Sequence, residues 1–309
     1  MLRVSSNAVG APVAVAASPG QVTAKSQGGD SPAVCNCPKF LQDRSALIKL
    51  LSQPLDSRIF EPKDYLAATS EVFSYTLIIT WVLTFIWYPD QIFEHPARPI
   101  IGSFNPCFGW DYAPASYIGL TFCSVNVFLT YRYTWLEQTR ALLVSDGKLS
   151  AVQQFSKFAS YWLALSSNVW LLLWLIGPNA DNPRDDDGPV MKAWFAHTGI
   201  FINYAIALFL AAFGNYLEVA YGPNSGVIEP KNTIFIWVYG ISGTYLGVVY
   251  VYDLVMYDFG EPPALHPFFT QAADVFWMAC MGSITSFLPR EAPLRMTVEV
   301  IPDTELALD

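Results

Sequence analysis

Residues 72–88 read VFSYTLIITWVLTFIWY, an unbroken run without an ionisable side chain. As a helix it advances about 1.5 Å per residue, which carries it across most of a hydrocarbon layer about 30 Å thick. Five further apolar segments, at about 114–132, 158–177, 193–221, 233–253 and 270–288, have comparable length. Their punctuation is helical. Pro114 opens the second, Gly177 and Pro178 close the third, and Pro289 stops the sixth. The fourth is long enough to tilt or to extend beyond the bilayer. Trp81, Trp87, Trp162, Trp174, Trp194, Trp237 and Trp277 lie mostly toward segment ends, where an interfacial aromatic belt places them.

Composition agrees with this pattern. Of 309 residues 53% are hydrophobic and only 14% charged, against about 25% charged in soluble domains. Such a chain cannot clothe a water-exposed surface of this size. Disordered, basic nucleic-acid-binding and disulfide-built secreted classes are excluded by the same numbers. The fold class that follows is all-α: a polytopic integral membrane protein with six transmembrane helices in one bundle.

Charge sets the orientation. All but three of the 17 Lys and Arg residues, the exceptions being Arg98, Arg184 and Lys192, fall on the side that holds both chain ends. The positive-inside rule then places both termini in the cytoplasm. The opposite loops carry Asp90, Glu94, Asp111, Asp181, Asp185, Asp186, Asp187, Asp258 and Glu261, an acidic face that reads as ordinary solvated surface. Residues 1–38 read as a disordered tail. Like a transit peptide the first 34 lack acids before Asp30, but Arg3 and Lys25 are their only basic residues. Residues 39–71 form a cytoplasmic, interfacial segment in which Phe40, Leu47, Ile48 and Leu51 share a helical face. A second interfacial helix is expected from 135 to 155, broken at Asp146-Gly147. Residues 72–288 hold the six spans, and 289–309 form a cytoplasmic tail. Cys35 and Cys37 read as unmodified thiols.

Ionisable groups within spans are costly, so each is a candidate for function. His197, Asp253 and Asp274 fall at similar depths near the outer surface, and His266 lies in the loop between the last two. With Asn168 and Asn215 they form an expected outward-facing polar cluster able to relay protons or act as a base. In the fourth span His197, Tyr204, Leu208, Ala211, Asn215 and Glu218 share one stripe, either a pathway or a helix-packing seam. Gly243 and Gly247 make a GxxxG through which helices approach closely, within the bundle or toward another membrane protein.

No metal or cofactor is expected. Three histidines are too few for bis-haem or di-iron ligation. The last span lacks a lysine for a retinal Schiff base, and GxSxG, Walker A and HExxH motifs are missing. Two His with two Asp leave a lipid-directed hydrolase open, without ligand spacing to support it.

Certain stretches are similar to the damage-regulated autophagy modulator family of six-span membrane proteins. They are PIIGSFNPCFGWDYAPAS (99–116) leading into the second span, Asn168 in the third, HTGIFINY (197–204) opening the fourth and QAADVFW (271–277) entering the sixth. The chain departs from the family where Asp274 stands for the usual Glu, and residues 1–34 have no counterpart. The resemblance spans about residues 70–290. It implies a non-enzymatic protein of endolysosomal or plasma membranes, linked to lipid organisation and trafficking, and it transfers no catalytic residue.

The function expected from these readings is that of a non-enzymatic multi-pass regulator or lipid-organising factor. Its partners are membrane lipids and membrane proteins, not nucleic acid. A small proton- or cation-coupled transporter using the His197–Glu218 stripe, and an intramembrane lipid hydrolase using a His/Asp site, are the alternatives.

Overall fold

A computed structural model describes residues 37–54, 57, 59–95, 98, 105–110, 113–145, 147–176, 189–223, 226–256, 265–291 and 293–295, with side chains except at 172–198 and 254. The chain is mostly helical. Two short helices come first, α1 (Lys39–Gln42) and α2 (Ala46–Leu51), then strand β1 (Ile59–Phe60). Helix α3 (Pro62–Trp87) is followed by α4 (Pro89–Phe93) and a 3-10 helix, Pro106–Trp110. Four long helices complete the body: α5 (Ala115–Val144), α6 (Ala151–Ile176), α7 (Pro189–Tyr221) and α8 (Pro230–Met256). The last elements are α9 (Pro267–Phe287) and strand β2 (Leu294–Arg295).

Prolines set several of these starts. Pro62, Pro189, Pro230 and Pro267 open α3, α7, α8 and α9, where a missing N–H costs nothing because the first turn has no acceptor for it. Helix α3 begins at Pro62 rather than near Val72. Its first turns hold Asp64, Thr69, Ser70 and Glu71, which are polar yet buried, so hydropathy alone places the boundary too late. Helix α5 continues past Arg132 to Val144 and absorbs the first half of the expected interfacial helix at 135–155. The second half, from Ala151, belongs to α6. Between them Gly147 takes φ +80°, a left-handed conformation that glycine adopts without strain.

The six long helices each pack against the next in chain order, and α9 packs back on α3. Paired contacts give the directions. Along α5 and α6, Thr134 meets the Ser160 carbonyl, Thr130 meets Ser167, and Tyr131 meets Asn168. Residue numbers rise on one helix as they fall on the other, so the pair is antiparallel. The same holds for Tyr216–Thr233 and Phe209–Tyr239 between α7 and α8, and for Tyr250–Asp274 and Phe235–Phe287 between α8 and α9. The result is an up-down ring closed by its first and last members. β1 pairs antiparallel with β2, Ile59 opposite Arg295, so the segments flanking the ring meet at one end.

Aromatic side chains fill the middle. Phe73 is fully buried, with the rings of Trp170 at 4.6 Å, Tyr204 at 5.2 Å, Trp277 at 5.7 Å, Trp110 at 5.9 Å and Phe201 at 6.0 Å. These contributions from four other elements, each with edge or tilted geometry, make Phe73 the hub of the core.

The outer surface is apolar over much of the bundle, and many polar side chains are buried. On α8, Ile234, Trp237, Ile241, Val248 and Val255 are 59–74% exposed at helical spacing, while Tyr239, Ser242 and Asp253 on the other side are buried. On α3, Ile78, Val82, Phe85 and Ile86 face out while Thr69, Ser70, Thr76, Thr80 and Thr84 face in. Buried hydroxyls return to their own helix, Thr76 donating to the Val72 carbonyl at 2.6 Å and Thr80 to Thr76 at 2.7 Å. Among the described residues, three helices are long and apolar enough to cross a membrane: Pro62–Trp87, Gly199–Tyr221 and Pro230–Asp253. The other long helices carry more polar side chains or extend beyond the described ones.

Cys37 is disulfide-bonded to a partner outside the described residues, in place of the unmodified thiol expected from sequence. The 3-10 helix lies directly on α3, and a Cβ at Gly109 would sit 2.6 Å from the Thr80 carbonyl carbon. Gly109→Ala should therefore lower stability by about 1–3 kcal/mol, as overpacking against fixed backbone does. Thermal unfolding in detergent measures this, and an unchanged midpoint would show that the 3-10 helix is not seated as described.

Candidate functional site

The candidate residues separate into distinct centres. Asp274 on α9 accepts the Tyr250 hydroxyl at 2.9 and 3.0 Å from its two oxygens. Asn105, just before the 3-10 helix, donates from Nδ2 to the Tyr250 hydroxyl and to Asp274 Oδ2 at 3.5 Å. Its Oδ1 accepts the Cys107 N–H at 2.8 Å. Asn105 thereby ties the loop after α4 to the α8/α9 seam. Asn105 and Asp274 come from two of the stretches quoted for the family resemblance, and Tyr250 joins them.

Asp253 lies one turn along α8 from Tyr250 and is fully buried. It accepts the Leu265 N–H at 2.9 Å and the Thr270 hydroxyl at 3.1 Å, holding the start of α9 against the end of α8. His266 caps α9, its Nδ1 accepting the Phe268 N–H at 3.2 Å. The imidazole therefore serves the helix terminus, where the sequence placed it in a polar pocket.

Asn168 is on a different seam, donating to the Tyr131 hydroxyl at 2.9 Å and the Ala164 carbonyl at 2.7 Å. The backbone of His197 lies in α7, and its side chain is outside the described residues. Further along α7, Tyr204, Leu208, Ala211 and Asn215 are all 0% exposed, so this part of the stripe faces the bundle interior. Asn126 donates to the Tyr204 hydroxyl at 2.6 Å. Leu208 and Ala211 put apolar side chains between that pair and the polar groups at the far end of α7. Neither amide atom of Asn215 has a partner among the described residues.

Glu218 belongs to a charged centre at the opposite end of the ring from Asp274. Arg140 on α5 donates from Nη2 to Glu137 Oε1 at 2.7 Å and to Glu218 Oε2. Its Nε lies 3.3 Å from Glu137 Oε2 and 3.6 Å from Glu291 Oε2. Three carboxyl groups from α5, α7 and the segment after α9 converge on one guanidinium, all nearly inaccessible to solvent. Apolar surroundings penalise the ionised forms here. Arg140 and the Ser156 hydroxyl outweigh burial at Glu137 and hold it below the usual glutamate range. Burial pushes Glu291 up to about 8, against the pull of Arg140.

A fourth centre stands at the same end. Glu71 on α3, fully buried, accepts the Ser45 hydroxyl at 2.7 Å, the Ala46 and Leu47 N–H groups at 3.0 Å, and the Thr285 hydroxyl. One carboxylate thus caps the amphipathic helix α2 and clips it to α9. Beside it Lys49 Nζ lies 2.5 Å from Asp64 and 3.4 Å from Glu61. Burial draws the Lys49 ammonium down, but the Asp64 hydrogen bond and the two carboxylates outweigh it and raise the group. Sequence reading passed over Glu71, Glu137, Arg140, Glu291, Asn105 and Tyr250. The Glu137–Arg140 spacing of three residues signals a helical ion pair, but it lies beyond the apolar run.

The GxxxG glycines are unequal. A Cβ at Gly243 would lie 3.9 Å from the Trp277 ring, while one at Gly247 would meet nothing within 4 Å. The close approach of α7 and α8 occurs instead at Gly240, where an added Cβ would lie 3.1 Å from the Phe209 ring. Among the described residues no group of three or more His, Cys, Asp or Glu has metal-binding geometry. No family model, curated protein or solved structure matches the chain.

Removing the Asp274 carboxylate leaves the Tyr250 hydroxyl proton without its acceptor. Asp274→Ala should cost about 2–4 kcal/mol, and most of that loss should vanish in a Tyr250→Phe background. Equal costs of Asp274→Ala in both backgrounds would show that the two side chains act independently.

Proposed function

We propose that this chain is a six-span membrane protein, with both termini cytoplasmic, acting as a non-enzymatic regulator or lipid-organising factor. The observation that carries this reading is the apolar outer surface of the ring: large apolar side chains point outward, while hydroxyls, amides and carboxylates turn inward beside the aromatic core. Hydrocarbon offers no hydrogen-bond partner, so polar groups that enter it must turn toward neighbouring helices. Helices α5, α6 and α9 share the outward apolar face, with Phe128 at 64%, Leu165 at 64% and Val275 at 62% exposed. They complete the count of spans together with the three most apolar helices.

Charge supports the orientation. The antiparallel registers put Lys49, Lys63, Arg132, Arg140, Lys157, Lys231 and Arg290 at one end of the ring. This is the end where β1 and β2 meet, and it faces the cytoplasm in this reading. Arg132 packs 4.7 Å from the Trp135 ring centre and 5.3 Å from that of Phe60, an interfacial arrangement of cation and aromatics.

The aromatic hub around Phe73 stands between the Asp274 centre and the Glu218 centre. A packed ring of this kind favours action through outer surfaces over passage of a solute. Those surfaces are the lipid-facing side chains, the docked α2 segment and the open Gly247 face, which would meet a membrane-protein partner. The endolysosomal or plasma-membrane location in this reading rests on the sequence motifs of the autophagy-modulator resemblance.

Sidedness tests the proposal. Val227, 84% exposed between α7 and α8, and Tyr117, 68% exposed at the start of α5, lie at opposite ends. Cysteines introduced there should react with an impermeant maleimide from opposite sides of sealed vesicles, with the Val227 site cytoplasmic. Labelling of both from one side would overturn the topology. In liposomes the protein should leave an imposed proton gradient intact; a leak abolished by His197→Ala would establish a transporter instead.

A further inference from the structure

The Arg140 centre has more carboxyl groups than its cation can balance. Glu137 Oε1 and Glu218 Oε2 both bond the same nitrogen, Nη2 of Arg140, so the two carboxyl groups crowd one donor. Two carboxylates held this way repel each other, and a proton on one of them relieves that repulsion. Glu218 Oε1 and both oxygens of Glu291 have no hydrogen-bond donor among the described residues, although Glu291 is buried. The Tyr133 hydroxyl, 0% exposed and equally without a partner, stands one turn from Glu137 in the field of the same four charges. Lys63 and Glu61, near the start of α3, face Glu291 from the remaining side. Ser156 of α6 reaches Glu137 at 3.4 Å.

Glu291 has a mechanical position. It lies between the end of α9 and β2, and Leu294 is 7% exposed within the core while paired with Phe60. The charged centre is therefore the buried anchor of the segment that leaves the bundle. A water-sized cleft between α5 and α6, lined by Glu137, Gln138, Gln153 and Ser156, gives solvent an approach to Glu137.

We propose that Glu137, Glu218 and Glu291 form a proton-binding site around Arg140, and that its occupancy decides whether Glu291 and β2 stay docked. One proton is shared between Glu137 and Glu218, and a second neutralises Glu291. When hydroxide or water takes them, three carboxylates face one guanidinium, and the repulsion expels Glu291, the only member not held on a long helix. β2 then separates from β1 and uncovers Phe60. The sign follows from Glu291 binding its proton more tightly when docked. Its contribution to docking is full below the ordinary glutamate value of 4.5 and is lost as pH rises from there to about 8. The inference concerns one end of the bundle and does not rest on the proposed regulatory role.

A cysteine at Leu294 reads the docking, with its maleimide labelling in detergent-solubilised full-length protein normalised to a cysteine at exposed Val227 and scored by peptide mass. Between pH 6 and pH 9 the normalised labelling should rise about a hundredfold, on the scale of the two pK units lost over that range. In Glu291→Gln, the neutral isostere, it should stay low throughout. A flat profile without the substitution, or an equal rise with it, overturns the switch. The shared proton has its own readout. The neutral-carboxyl infrared band at pH 7 should lose one group's intensity in Glu218→Gln, and an unchanged band contradicts the site.

Discussion

The architecture depends on polar groups finding partners inside the bundle, on their own helix or across a seam, rather than in solvent. In a hydrocarbon surrounding an unpaired hydroxyl or amide costs several kcal/mol, whereas an exposed Leu or Phe costs nothing. That asymmetry accounts for the inward Thr76, Thr80, Asn126 and Ser167 and for the outward Ile86, Phe128 and Trp237. It also fixes register. Thr130 with Ser167, Asn126 with Tyr204, and Tyr250 with Asp274 each join two different helices, so a slip of one residue would break several pairs together. Apolar contact alone is tolerant of such slips. The polar pairs are what select one arrangement.

At the two ends of the ring, charge does work that packing cannot. Glu71 gathers α2 and α9 on α3, Arg140 gathers α5, α7 and the segment after α9, and Asp253 joins the start of α9 to the end of α8. Each is a buried ion or ion pair that would be destabilising if it lost a partner. Their value here is specificity of connection: they attach short or irregular segments that bury too little apolar surface to stay in place unaided. The middle of the bundle has the opposite chemistry, with Phe73 and its surrounding rings relying on area and shape.

Much of the helical body was legible in the sequence, because hydropathy and helix punctuation report on it directly. Each of the six apolar segments runs along a long helix, and Pro114 and Pro289 stand just before α5 and just past α9, as helix punctuation predicts. What escaped the sequence was the polar but buried side chains outside the apolar runs. The start of α3 was placed late because Asp64 and Glu71 look like surface, and the end of α5 was missed because Glu137 and Arg140 look the same. The candidate site was legible residue by residue but not as a constellation. Asp253 and Asp274 do share the α8/α9 seam, while Asn168 bonds on another seam and Glu218 at the other end. Depth along a helix can be counted from sequence; the facing partner, such as Tyr250 or Asn105, is set by rotation and by the return of a loop.

The central claim is that the outward apolar face meets lipid and the aromatic core does not. Tryptophan fluorescence in bilayers whose acyl chains carry bromine reports that contact directly. In variants that retain a single tryptophan, Trp237, 70% exposed on α8, should be strongly quenched, and Trp277, 2% exposed beside Phe73, should be nearly unaffected. Equal quenching of the two, or no quenching of Trp237, would contradict the account.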